Sequence, residues 1–534
     1  MYFLVIRRPK AWVLAVTALA ALLLAAAAFH LYLWLTAPYP PFRIGMEGLS
    51  PALISELVAL GQIGGVKLAA KPELLSQLAG GELDYVLELD KATPGLVSMF
   101  VGKLVPAIVV PFFASVTEIN LAELQRLIAA EPDAVHVSDI LALPGFPWWE
   151  SPVHYCSSTE VKQNLRTGQA KIGIIPLQDR APSVRVLPLA EGEDLLTRQL
   201  FLSRLEKSWP ESWKSRLVGG EEPQLNYQAP EERQFTFLAA GDIMLNRDVE
   251  KVGLQKGWEY IFEEVAPLIR QADLAFANLE SPIGDKGHFI NMFQAPPEAV
   301  EGLAYAGFDL VSLANNHTLD YHHAGMFETM RLLAEYGIDW VGAGKDINEA
   351  RAPLIKEVNG VRAGFLAYTE MWFVHAREPI SWQGTEDEPG VAPAELELIT
   401  EDIALLRDLA DCVIVTFHWG KEYTHELTAE QKRLARAAID AGADLVLGHH
   451  PHVLQGIEFY KEGVIAYSLG NFVFDLNLPK TWETMVLEFT VSSKGVLDMK
   501  VMPAYIFGVQ PRILEGRHRD SVYSHIRNLS LQID

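Results

Sequence analysis

Short apolar runs recur along the C-terminal part of the chain, and each of them ends in a cluster of polar residues. The runs cover residues 235–240, 274–277, 310–314, 413–417, 445–447 and 464–469. Segments of helical periodicity separate several of them, including 324–336 and 428–441, the latter opening with Thr428 and Gln431 at capping-box spacing. Short strands that are apolar on both sides are typical of a sheet covered on both faces. The pattern predicts an α/β fold.

The N-terminal region contains a continuous apolar segment. Residues 11–36 carry no charged group, and as a helix they would span about 39 Å, enough to cross a bilayer. Arg7, Arg8 and Lys10 precede the segment, and no comparable basic cluster follows it closely. The positive-inside rule then predicts a single-pass cell-membrane protein, anchored in lipid through residues 1–42, with a cytoplasmic N-terminus and an extracellular bulk. A signal peptide cleaved near the alanines at 25–28 is the alternative.

Residues 219–232 break all periodicity and predict a linker between a domain at 43–218 and a larger one at 233–534. The first domain alternates apolar runs with helix-like stretches, and its segments 78–85 and 165–172 both read as a helix, a glycine and a strand. This arrangement resembles a shortened form of the two-lobed solute-binding proteins of the bacterial cell surface. An α/β spacer without a ligand is the alternative, and a solute sensor that gates the second domain is a third possibility.

Composition and charge narrow the functional classes. The chain has 534 residues, of which 49% are apolar and 21% charged, so a disordered or collagen-like protein is excluded. Two cysteines, Cys156 and Cys412, exclude a disulfide scaffold and a cysteine-rich zinc site, and predict two buried thiols outside any disulfide. A formal net charge of −24 argues against nucleic-acid binding. An acidic chain would need a local, positively charged site to bind a polyanionic substrate, such as a metal ion or a few arginines that point toward the substrate.

The polar clusters at the strand ends predict a metal site, because ligands of such sheets collect beyond the carboxyl ends of the strands. The candidate metal ligands are Asp242, Glu280, Asn316, His418, His450 and His452. These nitrogen and oxygen donors suit Mn, Fe or Zn, and they can hold one divalent ion or two that share a carboxylate. His317 is placed to donate a proton to a leaving group or to hold a non-bridging oxygen, and His317 and Asn316 are the candidate catalytic residues.

Each candidate also has a purely structural interpretation. Asp242 could cap a helix, Asn316 could be a turn residue, and His418 could be a core histidine. The three imidazoles within 449–452 are harder to explain structurally, because burying them without partners costs stability. Arg247 and Asn278 are the candidate substrate-binding residues, although Arg247 fits the surface of a helix equally well.

Six motifs, in this order, carry a family resemblance. They are Gly241-Asp242-Ile243-Met244-Leu245-Asn246-Arg247, Asn278-Leu279-Glu280, Ala314-Asn315-Asn316-His317 with Asp320-Tyr321, His418-Trp419-Gly420 with Glu422-Tyr423, Gly448-His449-His450-Pro451-His452, and Tyr467-Ser468-Leu469-Gly470-Asn471-Phe472. From about 235 to 510 the chain resembles the CapA/PgsA capsule-synthesis family, which is linked to poly-γ-glutamate and related surface polymers. That family in turn resembles the calcineurin-like metallophosphoesterases, whose fold is a four-layer α/β/β/α sandwich.

The resemblance implies a role for each candidate ligand. Asp242 and His452 would hold one metal, with Glu280 in the bridging position. The second metal would be held by Asn316, His418 and His450. His317 matches the histidine beside the metal-binding asparagine of the phosphoesterases.

Two departures from the phosphoesterase pattern keep the activity open. Met244 stands where those enzymes carry a histidine, and Glu280 replaces the bridging aspartate. One hypothesis is therefore a metal-dependent hydrolase or transferase that acts on a phosphate ester or on an anionic surface polymer. The alternative is a non-catalytic assembly or export factor that meets other capsule-synthase subunits.

Overall fold

A computed structural model describes residues 44–46, 66–68, 85–89, 97–104, 106–114, 119, 121–138, 153–176, 181–186, 198–204, 233–371, 373–375 and 379–533. The predicted membrane anchor at 11–36, the rest of 1–42 and the predicted linker at 219–232 lie outside these residues. Within the described ranges, no helix combines the length and apolar character needed to cross a membrane. The chain divides into two compact units, Met1–Glu231 and Glu232–Asp534.

The first unit contains two five-stranded sheets among its described residues. Its strands are β1 Ile44–Met46, β2 Val66–Leu68, β3 Tyr85–Leu89, β4 Val97–Leu104, β5 Pro106–Pro111, β6 Val135–Ser138, β7 His154–Cys156, β8 Ile172–Pro176, β9 Val184–Val186 and β10 Arg198–Arg204. The sheet orders are β2-β1-β3-β10-β4 and β7-β6-β8-β5-β9. Helix α1 spans Leu121–Ala130, a 3-10 turn spans Pro132–Ala134, and α2 spans Ser158–Arg166.

Local sequence explains how α2 begins and ends. A capping box between Ser157 and Glu160 satisfies the first backbone donors of the helix. Gly168, with φ +74°, turns the chain after the helix and leads it into β8. This confirms the predicted helix–glycine–strand unit at 165–172, whereas the helical part of the 78–85 passage lies outside the described residues. The likeness of this unit to solute-binding proteins stays a prediction.

The second unit is built on two larger sheets. The strands of the first are β11 Gln234–Ile243, β12 Leu274–Leu279, β13 Leu310–Ser312, β14 Asp339–Val341, β25 Asn471–Val473, β26 Glu483–Ser492, β27 Gly495–Phe507 and β28 Gln510–Ile513. Its order is β14-β13-β12-β11-β26-β27-β28, with β25 also paired to β11. The pairs from β14 to β11 are parallel, and β26 to β28 continue the sheet antiparallel.

The second sheet has the order β16-β17-β21-β22-β24-β23. Its strands are β16 Leu354–Val358, β17 Val361–Thr369, β21 Cys412–His418, β22 Leu445–His449, β23 Ile457–Tyr460 and β24 Gly463–Ala466. The four central strands run parallel, so their carboxyl ends meet at one edge. Two short pairs join β15 Ala343–Gly344 to β20 Gly390–Val391 and β18 Phe373–His375 to β19 Pro379–Ser381.

Helices of the second unit pack on both sheets. They are α3 Arg247–Lys256, α4 Trp258–Phe262, α5 Ala266–Ile269, α6 Val300–Ala306, α7 His322–Glu335, α8 Ile347–Ala350, α9 Leu396–Arg407, α10 Ala429–Ala441 and α11 Gly516–Ser530, with 3-10 turns at Pro297–Ala299 and Pro479–Thr481. Helix α10 starts with the predicted capping box of Thr428 and Gln431. One core joins the first sheet to α3–α7, and another joins the second sheet to α9 and α10.

The two sheets also touch each other through aromatic side chains. Phe237 of β11 and Phe365 of β17 lie with ring centroids 5.6 Å apart, and both side chains are buried. Strands of both sheets are therefore apolar on both faces, as their sequences predict. The α/β fold is confirmed, and all six predicted strands of this unit are present.

The central strand β11 is irregular where it reaches the carboxyl edge. Its register with β12 shifts between Ala239 and Asp242. At Gly241 a Cβ atom would overlap the carbonyl oxygen of Gly470, so only glycine fits this close approach of two backbones. The irregularity sets the position of Asp242, the first candidate ligand.

Candidate metal centre

The predicted ligands come together at the carboxyl ends of strands from both sheets. Asp242 lies near the end of β11, Glu280 directly follows β12, and His418 ends β21. Ligand atoms of these three residues lie within 4.8 Å of one another. The same holds for Glu280 with His450 and His452, which follow β22. Glu280 belongs to both groups, which is the position that a carboxylate shared by two ions would take.

Glu280 has a buried oxygen that the protein leaves without a hydrogen bond. Within the described residues, its Oε1 atom has no hydrogen-bond partner. Imidazole Nε2 atoms surround this oxygen at 3.6 Å for His452, 3.8 Å for His418 and 3.9 Å for His317. Burial, reinforced by the negative charge of Asp242, raises the pKa of Glu280 well above its ordinary value. A cation at this point would satisfy the oxygen and offset both effects.

Asp242 is held by donors from three directions. Its Oδ1 atom accepts hydrogen bonds from Asn278 Nδ2 at 2.9 Å and from His449 Nδ1 at 3.0 Å, and its Oδ2 atom accepts one from the backbone N–H of His450 at 3.3 Å. Burial acts to raise the pKa of Asp242, but the imidazoles of His449 and His452 outweigh it, and the pKa stays well below its ordinary value. Asp242 is therefore a buried carboxylate that keeps its charge.

His418 and His450 present neutral imidazoles. Burial is the main cause that lowers the pKa of His418 well below its ordinary value, and the neighbouring imidazole of His450 is the second. Burial, together with a smaller contribution from the imidazole of His452, lowers the pKa of His450 to about 3. His418 Nε2 lies 3.0 Å from His450 Nδ1. It also lies 2.6 Å from the amide oxygen of the half-buried Asn316. Neutral imidazoles and an amide oxygen are the forms in which these side chains bind a divalent ion.

The backbone around Pro451 adopts a rare conformation. His450 has φ +94° and His452 has φ +58°, values that residues other than glycine seldom adopt. The sequence does not predict positive φ on either side of Pro451. Positive φ at residues other than glycine concentrates at functional sites. His452 is fixed further by Asn471 of β25, whose Oδ1 atom lies 2.8 Å from its Nδ1.

His317 is oriented by a carboxylate. Its Nδ1 atom lies 2.8 Å from Asp320 Oδ2, which fixes that nitrogen as the donor. Its Nε2 atom then faces Asn316 Nδ2 at 2.9 Å and the centre beyond it. Asp320 also accepts backbone N–H donors from Met292 and Phe293, at 3.1 and 2.7 Å. One buried carboxylate thus ties the proposed proton donor to the loop beside it.

Asn278 lies among the ligands. Besides donating to Asp242, it accepts a hydrogen bond from Asn315 Nδ2 at 3.1 Å, and it is fully buried. These contacts hold a ligand in place, while contact with a substrate stays a prediction.

Arg247 begins helix α3 at the side of the centre. Its guanidinium forms an ion pair with Asp475 and lies over the ring of Phe293 at 4.8 Å and that of Phe474 at 5.6 Å. Those two rings contact His317 and His452 respectively. Arg247 Nε is buried, and the described part of the chain gives it no hydrogen-bond partner. Contact of Arg247 with a substrate anion stays a prediction.

Met244 is not part of the cluster. Its side chain is fully buried in the core of the first sheet, and its sulfur accepts a hydrogen bond from the backbone N–H of Asn246 at 3.1 Å. Sequence reasoning did not assign roles to His449 and Asp320, which orient Asp242 and His317. A signal for both was present, because they stand inside the same motifs as the ligands.

The fold and the site together define a two-sheet α/β protein with a buried carboxylate–imidazole cluster at the carboxyl ends of its strands. Residues 236–476 match the family described as bacterial capsule synthesis protein PGA_cap. The capsule biosynthesis protein CapA of Bacillus anthracis is 32% identical over 308 residues, which cover 55% of this chain and 74% of that protein. The PGA biosynthesis protein CapA of Bacillus subtilis (strain 168) is 35% identical over 297 residues, covering 54% and 76%. This chain belongs to the CapA family of bacterial capsule synthesis proteins.

Solved structures give weaker similarities. A hypothetical protein from Thermus thermophilus aligns over 50% of this chain and 98% of its own, with 18% identity and a TM-score of 0.32. An ABC-type phosphate transport receptor from Vibrio cholerae aligns over 32% of this chain and 91% of its own, with 13% identity and a TM-score of 0.25.

Proposed function

We propose that this protein serves the synthesis of a surface polymer of the poly-γ-glutamate type through a metal-dependent, phosphoesterase-like site in its second unit. The observation that carries the proposal is the buried Oε1 atom of Glu280, which has three imidazole nitrogens around it at 3.6–3.9 Å. A buried carboxylate oxygen that is left without a donor among imidazoles is costly unless a cation binds there.

The four-layer α/β/β/α arrangement of the metallophosphoesterases is part of this proposal. Two observations support it. The sheets meet through Phe237 and Phe365, and separate helix-bearing cores belong to each sheet. In such an arrangement the strand ends of both sheets open on one common edge.

The residues at the strand ends fit a divalent ion, because they combine two carboxyl groups, neutral imidazoles and an amide oxygen. Glu280 would be shared, with Asp242 and His418 on one side and His450 and His452 on the other. This grouping differs from the partition implied by the phosphoesterase resemblance, in which His418 and His450 hold one ion together. A bound divalent ion supplies Lewis-acid polarisation of a phosphoryl oxygen and acidifies water. Mn, Fe and Zn all suit the donors present.

The side chains around the centre would handle the proton and the substrate charge. His317, whose Nδ1 donates to Asp320, has its lone pair at Nε2, so Nε2 would first take up a proton and then pass it to a leaving group. Arg247 Nε would donate to a substrate anion, while Asp475 and the Phe293 ring hold its guanidinium in place.

Metal content and turnover of an aryl phosphate test the hydrolase proposal. The comparison is between the wild type, Asn316→Ala and His450→Ala, with His518→Ala as a histidine control on the exposed side of α11. We expect about one or two metal ions per chain in the wild type and in the control. Turnover should fall at least a hundredfold in the two site variants. Unchanged turnover in both site variants would refute the hydrolase.

Met244 favours a second candidate function, an assembly or export factor that binds metal or polymer without chemistry. Its buried thioether occupies the position where phosphoesterases carry a histidine, so one ion would have fewer protein ligands. Capsule output in a strain carrying Asp242→Ala and His450→Ala separates the two functions. Output that survives both substitutions but is lost on deletion of residues 1–36 indicates assembly or export.

We also propose that the protein is located in the membrane, with its second unit outside the cell. Other subunits of the synthase would contact its membrane anchor. The apolar segment 11–36 with its preceding basic residues supports this location. Fractionation of cells, followed by protease treatment of intact cells, tests the location. Recovery of the chain in the soluble fraction after removal of segment 11–36 is the expected control result.

A further inference from the structure

The first unit contains a second cluster of potential metal ligands, on its strands β6 and β7. These strands pair in parallel, with His136 opposite His154 and Ser138 opposite Cys156. Residues two apart on a strand share a face, so the two imidazoles and the thiol lie on the same side of the sheet. None of the motifs that define the second unit includes these residues.

The three side chains converge on one point. Their ligand atoms, one nitrogen from each histidine and the cysteine sulfur, all lie within 4.8 Å of one another. The imidazole rings stand 4.6 Å apart at 40°. His136 is 7% exposed and Cys156 is 9% exposed, whereas His154 is open to solvent. An ion would therefore reach the cluster from the side of His154.

His136 is held as a metal-binding histidine commonly is. Its Nε2 atom lies 3.2 Å from the carbonyl oxygen of Asp133, an acceptor only, so this nitrogen carries the proton. Its Nδ1 atom therefore has the lone pair, which now accepts a hydrogen bond from Asn164 Nδ2 at 3.0 Å. A backbone carbonyl that fixes the far nitrogen of a histidine is a frequent outer partner in metal sites. Rotation of the Asn164 amide would release Nδ1.

Core packing accounts for the buried position of the thiol. Cys156 belongs to an apolar cluster with Val161, Leu165 and Ile175. An alanine or valine would fill that role equally well. Both ring nitrogens of His136 have hydrogen-bond partners and His154 is exposed, so the convergence of three ligand atoms, and not a cost of burial, carries the inference.

We propose that His136, His154 and Cys156 bind a thiophilic divalent ion, Zn²⁺ in the first instance. Zinc takes imidazole nitrogen at about 2.0–2.1 Å and thiolate sulfur at about 2.3 Å, so tetrahedral ligand atoms lie about 3.3–3.6 Å apart. The ligand atoms lie within 4.8 Å of one another, and side-chain rotation would bring them to this spacing. Binding replaces the thiol proton, which is released to solvent, and leaves a fourth position open toward solvent.

The sulfur ligand distinguishes this site from the centre of the second unit, whose donors are nitrogen and oxygen alone. Cobalt(II) is the probe of choice, because a thiolate bound to it gives a charge-transfer absorption in the near ultraviolet. The full-length protein is titrated with Co²⁺ and then with Zn²⁺. The variants are Cys156→Ser, His154→Gln and, as a matched buried thiol, Cys412→Ser. A double variant Asp242→Ala, His450→Ala removes ligands of the second unit.

We expect the absorption in the wild type, in Cys412→Ser and in the double variant, and its displacement by Zn²⁺. It should disappear in Cys156→Ser. His154→Gln changes an exposed side chain, so folding is retained and Co²⁺ affinity should fall more than about tenfold. Absence of the absorption in the wild type at saturating Co²⁺, or its persistence in Cys156→Ser, overturns the inference. Because the variant Asp242→Ala, His450→Ala lacks ligands of the second unit, an absorption that persists in it comes from the first unit and does not depend on the proposed function.

Discussion

Replacing Glu280 by glutamine tests the metal centre most directly. The carboxyl is fully buried beside Asp242, and its Oε1 atom has no hydrogen-bond partner among the described residues, with three imidazole nitrogens at 3.6–3.9 Å. Glutamine preserves the size of the side chain but removes its charge and a good ligand oxygen. Metal binding should therefore weaken sharply, while the metal-free protein loses a buried carboxyl group and should be no less stable.

The size of the effect follows from binding linkage. At a metal concentration one hundred times the dissociation constant, the wild type gains about 2.7 kcal/mol. At about 2–4 °C per kcal/mol this raises Tm by roughly 5–10 °C. A hundredfold weaker Glu280→Gln variant gains only about 0.4 kcal/mol at the same concentration, which is close to the limit of detection.

The assay is thermal unfolding with Mn²⁺ or Zn²⁺ and again after chelation. Glu328→Gln is the matched control, because Glu328 is also buried but accepts hydrogen bonds from the backbone N–H groups of Asp285 and Lys286, both at 2.6 Å. The Glu328→Gln substitution should lower Tm by the same amount in the presence and in the absence of metal. An equal metal-dependent gain in Glu280→Gln and the wild type would show that Glu280 binds no ion.

Three further substitutions have defined outcomes. Gly241→Ala places a methyl group against the carbonyl of Gly470, and urea unfolding should show a loss of about 1–3 kcal/mol. The hydrogen bond at 2.6 Å between His525 and Glu483 raises the pKa of His525 and lowers that of Glu483. Because both side chains are about one-third exposed, His525→Gln should cost only about 0.5 kcal/mol at pH 5.5 and less at pH 8.5. Asp320→Asn should lower aryl phosphate turnover about a hundredfold with metal content unchanged.

The direction of the pH effect comes from linkage. The raised pKa of His525 gives stability that is complete below about pH 6.5 and is lost as pH rises through the folded-state pKa. The lowered pKa of Glu483 gives stability that is present above about pH 4.5 and is lost as pH falls further. A cost of His525→Gln that grows toward pH 8.5 would contradict this assignment. Full stability of Gly241→Ala, or full turnover of Asp320→Asn, would contradict the packing and the orientation described above.

The sequence predicts the scaffold of the second unit well because its signals are local. Apolar runs of strand length give β11, β12, β13, β21, β22 and β24 within a few residues, and Thr428 with Gln431 marks the start of α10. Gly168 similarly marks the end of α2. Each of these signals depends on neighbours in the chain, so one sequence is sufficient to read it.

Other features depend on contacts between distant segments. The antiparallel strands β26 to β28 extend the first sheet, but their alternation does not reveal which edge they join. The roles of Asp320 and His449 depend on partners brought near by the fold, and so do the positive φ values of His450 and His452. The cluster of His136, His154 and Cys156 arises from the pairing of two strands, and the sequence gives no direct sign of that pairing.

The placement of β11 between β12 and β26 has a consequence for biogenesis. Asp242 emerges early from the ribosome, yet one neighbour of its strand begins only at Glu483, and Asn471, which fixes His452, is also made late. Until translation has passed those residues, the edge of β11 that pairs with β26 has no partner, and the set of side chains around Glu280 is incomplete. An ion held at the proposed centre would therefore be taken up only after these late segments have been made, and products truncated before Asn471 should bind no ion there and be prone to aggregate.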